Sequence, residues 1–595
     1  MKALAAKISF GDIPLLLYFT AFLREYFWIV PNNYVAWPLT LLSALTAWYF
    51  YIRTRAVDEH RVSISFWLIV GLPLFFLFST RVAYPDTSFD VMTYHIVHSE
   101  RALRGLVHIP GDMFFGQFPS IDPAPDVITG ITRFLLGFRA GVVINFVAIL
   151  WMGTVIDKIL ALRVRSHWVR SMLVLACVTC EFLLAEINNY MVDLLALPLL
   201  LEALWFILRP SEKDTRMSAV LPHFLLLIGM AVGLKITNFV FAAPMLAVLT
   251  YRLWRVDRRP IGAVIRLGVK FAALFIAPVF AYVLYITYRT GNPVFPLYNG
   301  IFRSPFWGAL NFYDGRWGPK GLLETILWPV QMFLVPERLS ELNMYTGRIT
   351  IGWVLAILGL LLSRKDWRLG GLCFTMLVGT FLWSEGAGYI RYGLFLEPLA
   401  GLVCVYFIAA LIERSAAMRR SIAYGIAAVA ALALATQCYR AAVLSYDHEW
   451  SGRPNCFRQR GCRGDLAQLF TDRKMPLDTE TQQLLANVDV WVESAPKVGG
   501  IMALARPDVP GFTYIEEYYR GTGSDAEFRD SLTQLRGKRF FTMVMRSDID
   551  EAQQFLDRRQ FTVKHIDNVD VPYFSETNKI PMLLIELEPP MPHDQ

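Results

Sequence analysis

Long apolar runs recur through the first three quarters of this 595-residue chain, and they constrain its fold more than any other feature. An α-helix needs about 20 predominantly apolar residues to cross the ~30 Å hydrocarbon core of a bilayer, and many runs here reach that length. Hydrophobic residues make up 55% of the chain, which is a membrane-protein composition. The sequence therefore predicts a mainly α, polytopic membrane protein.

About thirteen transmembrane helices are predicted, and the basic residues between them orient the chain. The predicted spans are residues 12–30, 34–52, 64–82, 138–160, 168–186, 190–208, 217–233, 238–251, 262–286, 346–363, 369–384, 391–411 and 421–441. Six basic connectors begin near Arg53, Arg163, Arg209, Arg252, Arg364 and Arg414. All six are cytoplasmic if the N-terminus is cytoplasmic, and an odd number of spans then places the C-terminal region outside.

The composition becomes that of a soluble protein near residue 445, where charges begin to occur every few residues. Phe540–Met545 and Met582–Leu587 have the pattern of strands, and Ser547–Arg559 has that of an amphipathic helix. We therefore predict a small C-terminal α/β extramembrane domain at 445–595, which is periplasmic in the predicted topology.

The remaining part, residues 1–444, is predicted as one transmembrane module with two long outer loops, 83–137 and 287–345. Leu322–Leu334 is apolar but short, so we expect an interfacial or re-entrant helix there. Cys456 and Cys462 lie in the predicted outer tail, where an oxidising compartment allows a small disulfide loop; two free thiols are the alternative. A net charge of +7 fits loops that face anionic lipid better than a nucleic-acid surface.

Two carboxylates, Asp86 and Asp90, follow directly on the third predicted span, at the membrane surface. Charge at that depth is costly unless it is paired or functional, so this pair is the first candidate for chemistry. The residues from Phe89 to Arg104 form an amphipathic pattern typical of a helix that lies in the interface. Asp90, near the start of that helix, is therefore either catalytic or a helix cap.

The segment from Asp90 to Ile96, DVMTYHI, resembles the signature that opens the first outer loop in many bacterial membrane glycosyltransferases of the GT-C fold. It is also similar to the corresponding segment of the aminoarabinose and protein O-mannosyl transferases, although Val91 stands where those enzymes have Glu. The resemblance implies a GT-C-like fold, a polyprenyl-phosphate-linked sugar donor, and Asp90 as the catalytic base. Asp86 is then expected to tune Asp90 or to bind the acceptor.

Further segments resemble the same family in the same order, and together they cover roughly residues 64–411. They are Tyr190–Leu194, Gly233–Asn238, Gly291–Asn299 followed by Phe302–Pro305, and Arg391–Pro398. The substrate-binding residues that the resemblance implies are Tyr94, His95, Asp122, Asp126, Asp193, Lys235, Arg303, Arg391 and Tyr392.

Several of these residues have a simpler explanation as well. Lys235, Arg303 and Arg391 are expected to stabilise the phosphate leaving group, or else to snorkel or pair with loop carboxylates. Asp126 equally suits the cap of a short helix, and Asp193 suits an ion pair within the membrane. His95 and nearby histidines lack the partners of a known metal motif, so the sequence permits a divalent metal ion but does not indicate one, and no cofactor is predicted.

The favoured function is transfer of a sugar to a glycan, lipid or protein acceptor at the outer face of a bacterial inner membrane. The implied partners are a polyprenyl-phosphate sugar donor, that acceptor and the lipid bilayer, without nucleic acid. The alternatives are a transporter or lipid flippase, and an O-antigen-type polymerase or ligase. A transporter would favour charges in the middle of its spans. The polar residues here gather at one predicted face instead, apart from Arg24 and Glu25 in the first span.

The topology is tested by a reporter fused after residue 445. We expect an alkaline phosphatase fusion at this point to be active and a green fluorescent protein fusion to be dark, because the predicted spans place the tail outside. Cytoplasmic activity of the reporter would overturn the number of spans.

Overall fold

The structure is a computed structural model that describes residues 8–30, 32–55, 60–82, 86, 88–210, 217–311, 315–341, 347–363, 366–414, 417–444, 479–513, 522–572 and 579–590. The predicted Cys456–Cys462 pair lies outside the described residues. The helices of the predicted membrane module are α1 (Asp12–Tyr26), α2 (Asn33–Thr54), α3 (Ile64–Arg81), α4 (Ile96–Arg104), α5 (Ala124–Leu136), α6 (Val143–Ala161), α7 (His167–Val178), α8 (Glu181–Ala185), α9 (Leu197–Leu208), α10 (Met217–Leu234), α11 (Phe239–Tyr251), α12 (Ile261–Thr290), α13 (Asn299–Phe302), α14 (Leu322–Leu334), α15 (Gly347–Leu362), α16 (Trp367–Gly386), α17 (Leu396–Arg414) and α18 (Ala417–Leu444).

Every predicted span is helical, which confirms the fold class of a polytopic helical protein. Six helical segments among the described residues are long and apolar enough to cross a membrane, so the full number of crossings stays a prediction. The predicted span 168–186 is divided, because α7 ends at Val178 and α8 begins at Glu181.

The long apolar helices differ in how much of their surface the protein covers. The apolar window of the segment that contains α6 is 89% buried, whereas that of α12 is only 11% buried. Large apolar side chains such as Val269, Phe280 and Leu284 are exposed along α12. An apolar surface of this extent requires a non-aqueous neighbour, as a bilayer provides.

The first long loop is built from short helices that pack on the bundle. A π-helical turn at Val91–His95 continues directly into α4, where the sequence predicts an interfacial helix from Phe89 to Arg104. Single π-turns inside helices occur frequently at functional sites. α14 has the bounds of the apolar segment that is predicted as an interfacial or re-entrant helix.

Arg24, the unexplained charge near the end of the first span, fastens this loop to the bundle. Its Nη2 donates to Asn33 Oδ1 at 2.7 Å, and its guanidinium lies 5.1 Å from the centre of the Trp37 ring. Asn33 and Trp37 donate in turn to the carbonyls of Arg104 and Leu103 at the end of α4. Unpaired carbonyls at a helix C-terminus attract donors and positive charge, so Arg24 stabilises this end of α4.

The C-terminal domain contains a five-stranded sheet with the order β2-β1-β3-β5-β4. Its elements are α19 (Thr479–Ala486), β1 (Val490–Glu493), α20 (Gly499–Ala505), β2 (Gly511–Thr513), α21 (Thr522–Gln534), β3 (Phe540–Met545), α22 (Ile549–Arg558), β4 (Thr562–Pro572) and β5 (Lys579–Glu588). β1 pairs in parallel with β2 and β3, and β5 pairs antiparallel with β3 and β4. The strands predicted at Phe540–Met545 and Met582–Leu587 and the helix predicted at Ser547–Arg559 are confirmed, with small shifts at their ends.

This domain forms hydrogen bonds with the first long loop. Met113 N–H donates to Gly511 O at 2.9 Å, and Gly511 N–H donates to Asp112 Oδ1 at 2.9 Å. Arg101, which forms an ion pair with Asp112, also donates to Val509 O at 3.0 Å. The loop therefore lies between the helical bundle and the sheet domain.

One carboxyl in this domain makes its stability depend on pH. Glu493 is fully buried at the end of β1 and accepts a hydrogen bond from Thr513 Oγ1 at 2.8 Å. Burial raises the pKa of Glu493 to about 8. The folded protein therefore binds more protons than the unfolded chain between about pH 4 and pH 8, and Glu493 lowers stability progressively as the pH rises through this window.

We expect Glu493→Gln to remove this dependence. The melting temperature of the variant minus that of the wild type should increase as the pH rises from about 5 to about 8 and then level off. Glu551→Gln, at an exposed position on α22, is the control and should show a constant difference. A constant difference for Glu493→Gln as well would contradict the assignment of a neutral buried carboxyl.

Candidate functional site

Arg391 lies at the centre of a buried cluster of charges. Its Nη1 donates to Asp90 Oδ2 at 2.8 Å, and its Nη2 donates to Asp193 Oδ2 at 3.0 Å. One guanidinium therefore bridges two carboxylates that are far apart in the sequence. Arg391 and Asp193 are buried, and the side chain of Asp90 is 20% exposed. The planar fork of Arg suits such a bridge, because its two Nη groups point in different directions.

Lys235 extends the cluster on the far side of Asp193. Its Nζ pairs with Asp193 Oδ1, and it lies 4.3 Å from the centre of the Tyr392 ring. The side chain of Lys235 is 21% exposed, and its ammonium is held in place by Asp193. Negative and positive side chains therefore alternate along the cluster, in the order Asp90, Arg391, Asp193 and Lys235.

The four charged residues come together because each lies where a long helix begins or ends. Asp90 precedes the π-helical turn at Val91–His95, and Lys235 follows α10. Asp193 and Arg391 lie in short 3₁₀ turns, at Asp193–Ala196 and Ile390–Gly393, just before α9 and α17. Polar groups at helix ends can meet there without being buried along an apolar helix face.

A fifth ionisable residue, Glu186, was not identified from the sequence. It is fully buried after α8, and its Oε1 lies 3.9 Å from Arg391 Nε. A carboxylate in an apolar segment is rare enough to have marked this position as a candidate. Tyr389, whose hydroxyl lies 3.5 Å from Arg391 Nη1, was also not identified.

Asp126 joins two histidines next to this cluster. Its Oδ1 lies 2.6 Å from His95 Nδ1, and its Oδ2 lies 2.8 Å from His98 Nδ1. His98 Nε2 lies 3.0 Å from Gly116 O, a carbonyl that only accepts hydrogen bonds. Asp126 therefore orients both rings, and it makes no capping bond to α5, which the sequence left as an alternative.

Burial and neighbouring charges determine the protonation of the loop residues. Burial alone would raise the pKa of Asp90, but the Arg391 guanidinium and His95 outweigh it and hold that pKa below its usual value. Burial would likewise raise the pKa of Asp126 and lower that of His95. The attraction between the two is stronger, so the pKa of Asp126 is lowered and that of His95 is raised. Asp90 is thus a carboxylate at neutral pH.

The helix-cap explanation of Asp90 does not hold. Its backbone is already helical, with φ −63° and ψ −40°, and its side chain caps no backbone N–H. Asp86, in contrast, accepts backbone hydrogen bonds at both oxygens, from Tyr190 N–H at 2.6 Å and from Ser88 N–H at 3.0 Å. Asp86 therefore fastens the loop to the segment before α9, and Asp90 is the carboxylate that faces the cluster.

The other predicted residues lie at different distances from the centre. The Tyr94 ring is 4.3 Å from that of His95, and the charges of Asp90 and Arg391 act on the Tyr94 hydroxyl. Asp122 accepts a hydrogen bond from Ala124 N–H at 2.9 Å, and burial raises its pKa to about 7. Arg303 is exposed after α13 and forms no ion pair with another described residue.

Among the described residues, no group of three or more His, Cys, Asp and Glu side chains is arranged to hold a metal ion. Chemically, the site offers a carboxylate with a fixed orientation, the ammonium of a partly exposed lysine and several aromatic rings. This set can accept a proton, bind an anion and pack against the faces of a sugar ring.

No family model matches the chain, and no curated protein sequence matches it. Similar solved structures include ArnT from Cupriavidus metallidurans in the apo state, at 13% identity and a TM-score of 0.48, covering 87% of this chain and 97% of that one. The same protein bound to undecaprenyl phosphate gives 14% identity and 0.48, covering 88% and 98%. The archaeal oligosaccharyltransferase AglB from Archaeoglobus fulgidus, in complex with an inhibitory peptide and a dolichol-phosphate, gives 12% and 0.43, covering 84% and 73%.

At this level of similarity the solved structures carry no argument about the function of this chain. With identities between 12% and 14% and TM-scores under 0.5, they decide neither the donor nor the acceptor. The argument for function therefore rests on the geometry of the charged cluster.

The cluster makes a prediction about stability. Arg391→Ala leaves the Asp90 carboxylate without its ion-pair partner, and breaking a buried pair in this way costs about 3–5 kcal/mol. We expect a marked loss of thermal stability in detergent, and a smaller loss for Arg391→Lys, which keeps the charge without the fork. Arg303→Ala is the matched control and should change stability by no more than about 0.5 kcal/mol. Equal stability of Arg391→Ala and Arg303→Ala would contradict the role of Arg391.

Proposed function

We propose that the chain transfers a sugar from a polyprenyl-phosphate-linked donor to an acceptor hydroxyl at the outer face of the cytoplasmic membrane, with inversion at the anomeric carbon. The observation that carries the proposal is the Asp90–Arg391–Asp193–Lys235 cluster. Its bridging bond, from Arg391 to Asp90, joins residues 301 positions apart. Burying charged groups in this way costs free energy, and such buried groups are concentrated at functional sites.

Asp90 is the proposed base. Arg391 holds its Oδ2, and no described residue donates a hydrogen bond to its Oδ1, which supports a role for that oxygen as proton acceptor. The acceptor oxygen forms the bond to C1 of the donor sugar while its proton passes to Asp90. The lowered pKa of Asp90 keeps the carboxylate charged and makes it a modest base. A modest base is sufficient because the transition state of glycosyl transfer resembles an oxocarbenium ion, in which bond breaking runs ahead of attack.

Lys235 and Arg391 are the proposed phosphate contacts. When the bond between C1 and the phosphate oxygen breaks, the leaving lipid phosphate keeps the electron pair and its negative charge grows. A cation placed at that oxygen stabilises the transition state more than the bound donor. Lys235 is the better direct contact, because its side chain is 21% exposed and its ammonium has donors beyond the one that Asp193 uses. Arg391 contributes its charge mainly by holding Asp90 and Asp193.

The aromatic residues around the cluster suit the sugar itself. Tyr392 lies beneath Lys235, Tyr389 lies beside Arg391, and Tyr94 lies against His95. We propose that Tyr94, Tyr392 and His95 contact the donor or the acceptor, because aromatic rings pack against the apolar faces of sugars while their polar ends make hydrogen bonds. Asp126 then acts through the ring of His95.

The base assignment is tested with Asp90→Asn. The amide occupies nearly the same volume but cannot accept the proton, so turnover should fall about 10²–10⁴-fold. The assay uses purified protein in nanodiscs, a panel of radiolabelled polyprenyl-phosphate monosaccharides and a bacterial envelope fraction as the acceptor. Binding of undecaprenyl phosphate, measured in parallel, should change little.

Asp550→Asn, an exposed carboxylate on α22, is the matched control and should keep full activity. Full transfer by Asp90→Asn would remove Asp90 as the base. Translocation of lipid across proteoliposomes without any sugar transfer by the wild type would favour the flippase alternative.

A further inference from the structure

The C-terminal domain touches the candidate site through two adjacent glycines, Gly499 and Gly500, at the start of α20. A Cβ atom on Gly499 would lie 2.6 Å from the carbonyl oxygen of Thr93. A Cβ atom on Gly500 would lie 2.9 Å from the carbonyl oxygen of Met92 and 3.2 Å from its Cα. These neighbours are backbone atoms, which cannot swing away. The two backbones are therefore in direct contact, at a distance that only glycine permits.

The contacted residues belong to the π-helical turn that begins directly after Asp90. Met92 and Thr93 are fully buried under α20, and His95 lies at the end of the same turn. Lys497 N–H, just before the glycines, lies 3.3 Å from Thr93 Oγ1 and donates to it. A displacement of this turn would therefore shift both Asp90 and His95.

The opposite side of the turn is held by the helical bundle. Arg391 fixes the side chain of Asp90, and Asp126 fixes the ring of His95. The turn is thus clamped between side-chain contacts from the bundle and backbone contacts from the sheet domain.

We infer that the C-terminal domain positions the candidate catalytic turn, and that Gly499 and Gly500 are positioning residues because they set how closely the domain approaches Met92 and Thr93. The inference rests on the proposed function for its effect on turnover. It gives the sheet domain a part in the reaction that does not require contact with either substrate. Errors of about 1 Å in a reacting group can reduce rates by about 10²-fold.

The inference is tested with the full-length variants Gly500→Ala and Gly500→Val. Alanine adds one methyl group that presses on the backbone of Met92, and valine adds a larger side chain at the same place. Alanine also favours helix over glycine by about 0.5–1 kcal/mol, so a loss in that variant cannot come from a weakened α20. If Gly500→Val fails to fold, Gly500→Ala carries the test alone. Gly268→Ala is the matched control, because a Cβ atom there meets nothing within 4 Å.

Two readouts separate the inference from the proposed function. The first is hydrogen–deuterium exchange of the segment 88–104, which needs no substrate. The second is the split between kcat and the affinity for undecaprenyl phosphate. We expect faster exchange in 88–104 and a fall in kcat of about tenfold or more for both Gly500 variants, with lipid affinity within twofold of the wild type and no change for Gly268→Ala.

Unchanged exchange in 88–104 in folded Gly500 variants would overturn the inference, whatever the activity. Unchanged kcat alongside faster exchange would overturn it as well, because the position of the turn would then not limit the reaction. Absence of transfer by the wild type from any donor in the panel would sink the proposed function alone, and exchange would still decide whether the domain positions the turn.

Discussion

The bridge from Arg391 to Asp90 and Asp193 is the interaction on which the rest of the site depends. One guanidinium pairs with both carboxylates, and Lys235 supplies a second positive charge beside Asp193. Removing charged groups from water costs several kcal/mol for each ion, so the cluster is stable only as a complete set. The cluster lies where the ends of four helical segments meet. That is the strongest physical reason to place chemistry there.

The same bridge explains how the first long loop obtains a defined shape. The loop is held at Arg391 through Asp90 and at Tyr190 through Asp86, and Asn33 and Trp37 hold the end of α4. On its other side it is held by the C-terminal sheet domain at Gly511 and at the two glycines of α20. Each anchor involves a backbone group or a charge, so few of them could be exchanged for apolar contacts.

Local patterns predicted much of the fold. Long apolar runs predicted the long helices, and short apolar runs predicted β3 and β5. The helical period of the apolar residues predicted α22, because burial of one face leaves its period in the sequence. The break between α7 and α8 was missed, since the run from 168 to 186 is apolar on both sides of it. The number of membrane crossings is a property of the protein together with its bilayer, and it stays a prediction.

For the site, the sequence identified most of the side chains without their partners. Asp90, Asp193, Lys235 and Arg391 were each named from short motifs, but no local pattern states which helix ends meet. Glu186 was overlooked within an apolar segment. Asp86 was expected to tune Asp90 or to bind the acceptor, and no local pattern predicts that both of its oxygens accept backbone hydrogen bonds. The contact of Gly500 with Met92 joins residues that are far apart in the sequence, and no motif near either residue predicts it.

The central claim is that this cluster is where a lipid phosphate binds. A cryo-electron microscopy map of the full chain in nanodiscs, prepared with excess undecaprenyl phosphate, tests it most directly. The account predicts density for the phosphate within hydrogen-bond reach of Lys235 Nζ, beneath the loop at residues 83–137, with Asp90 still held by Arg391. Phosphate density elsewhere on the protein, with the cluster unchanged, would contradict the account.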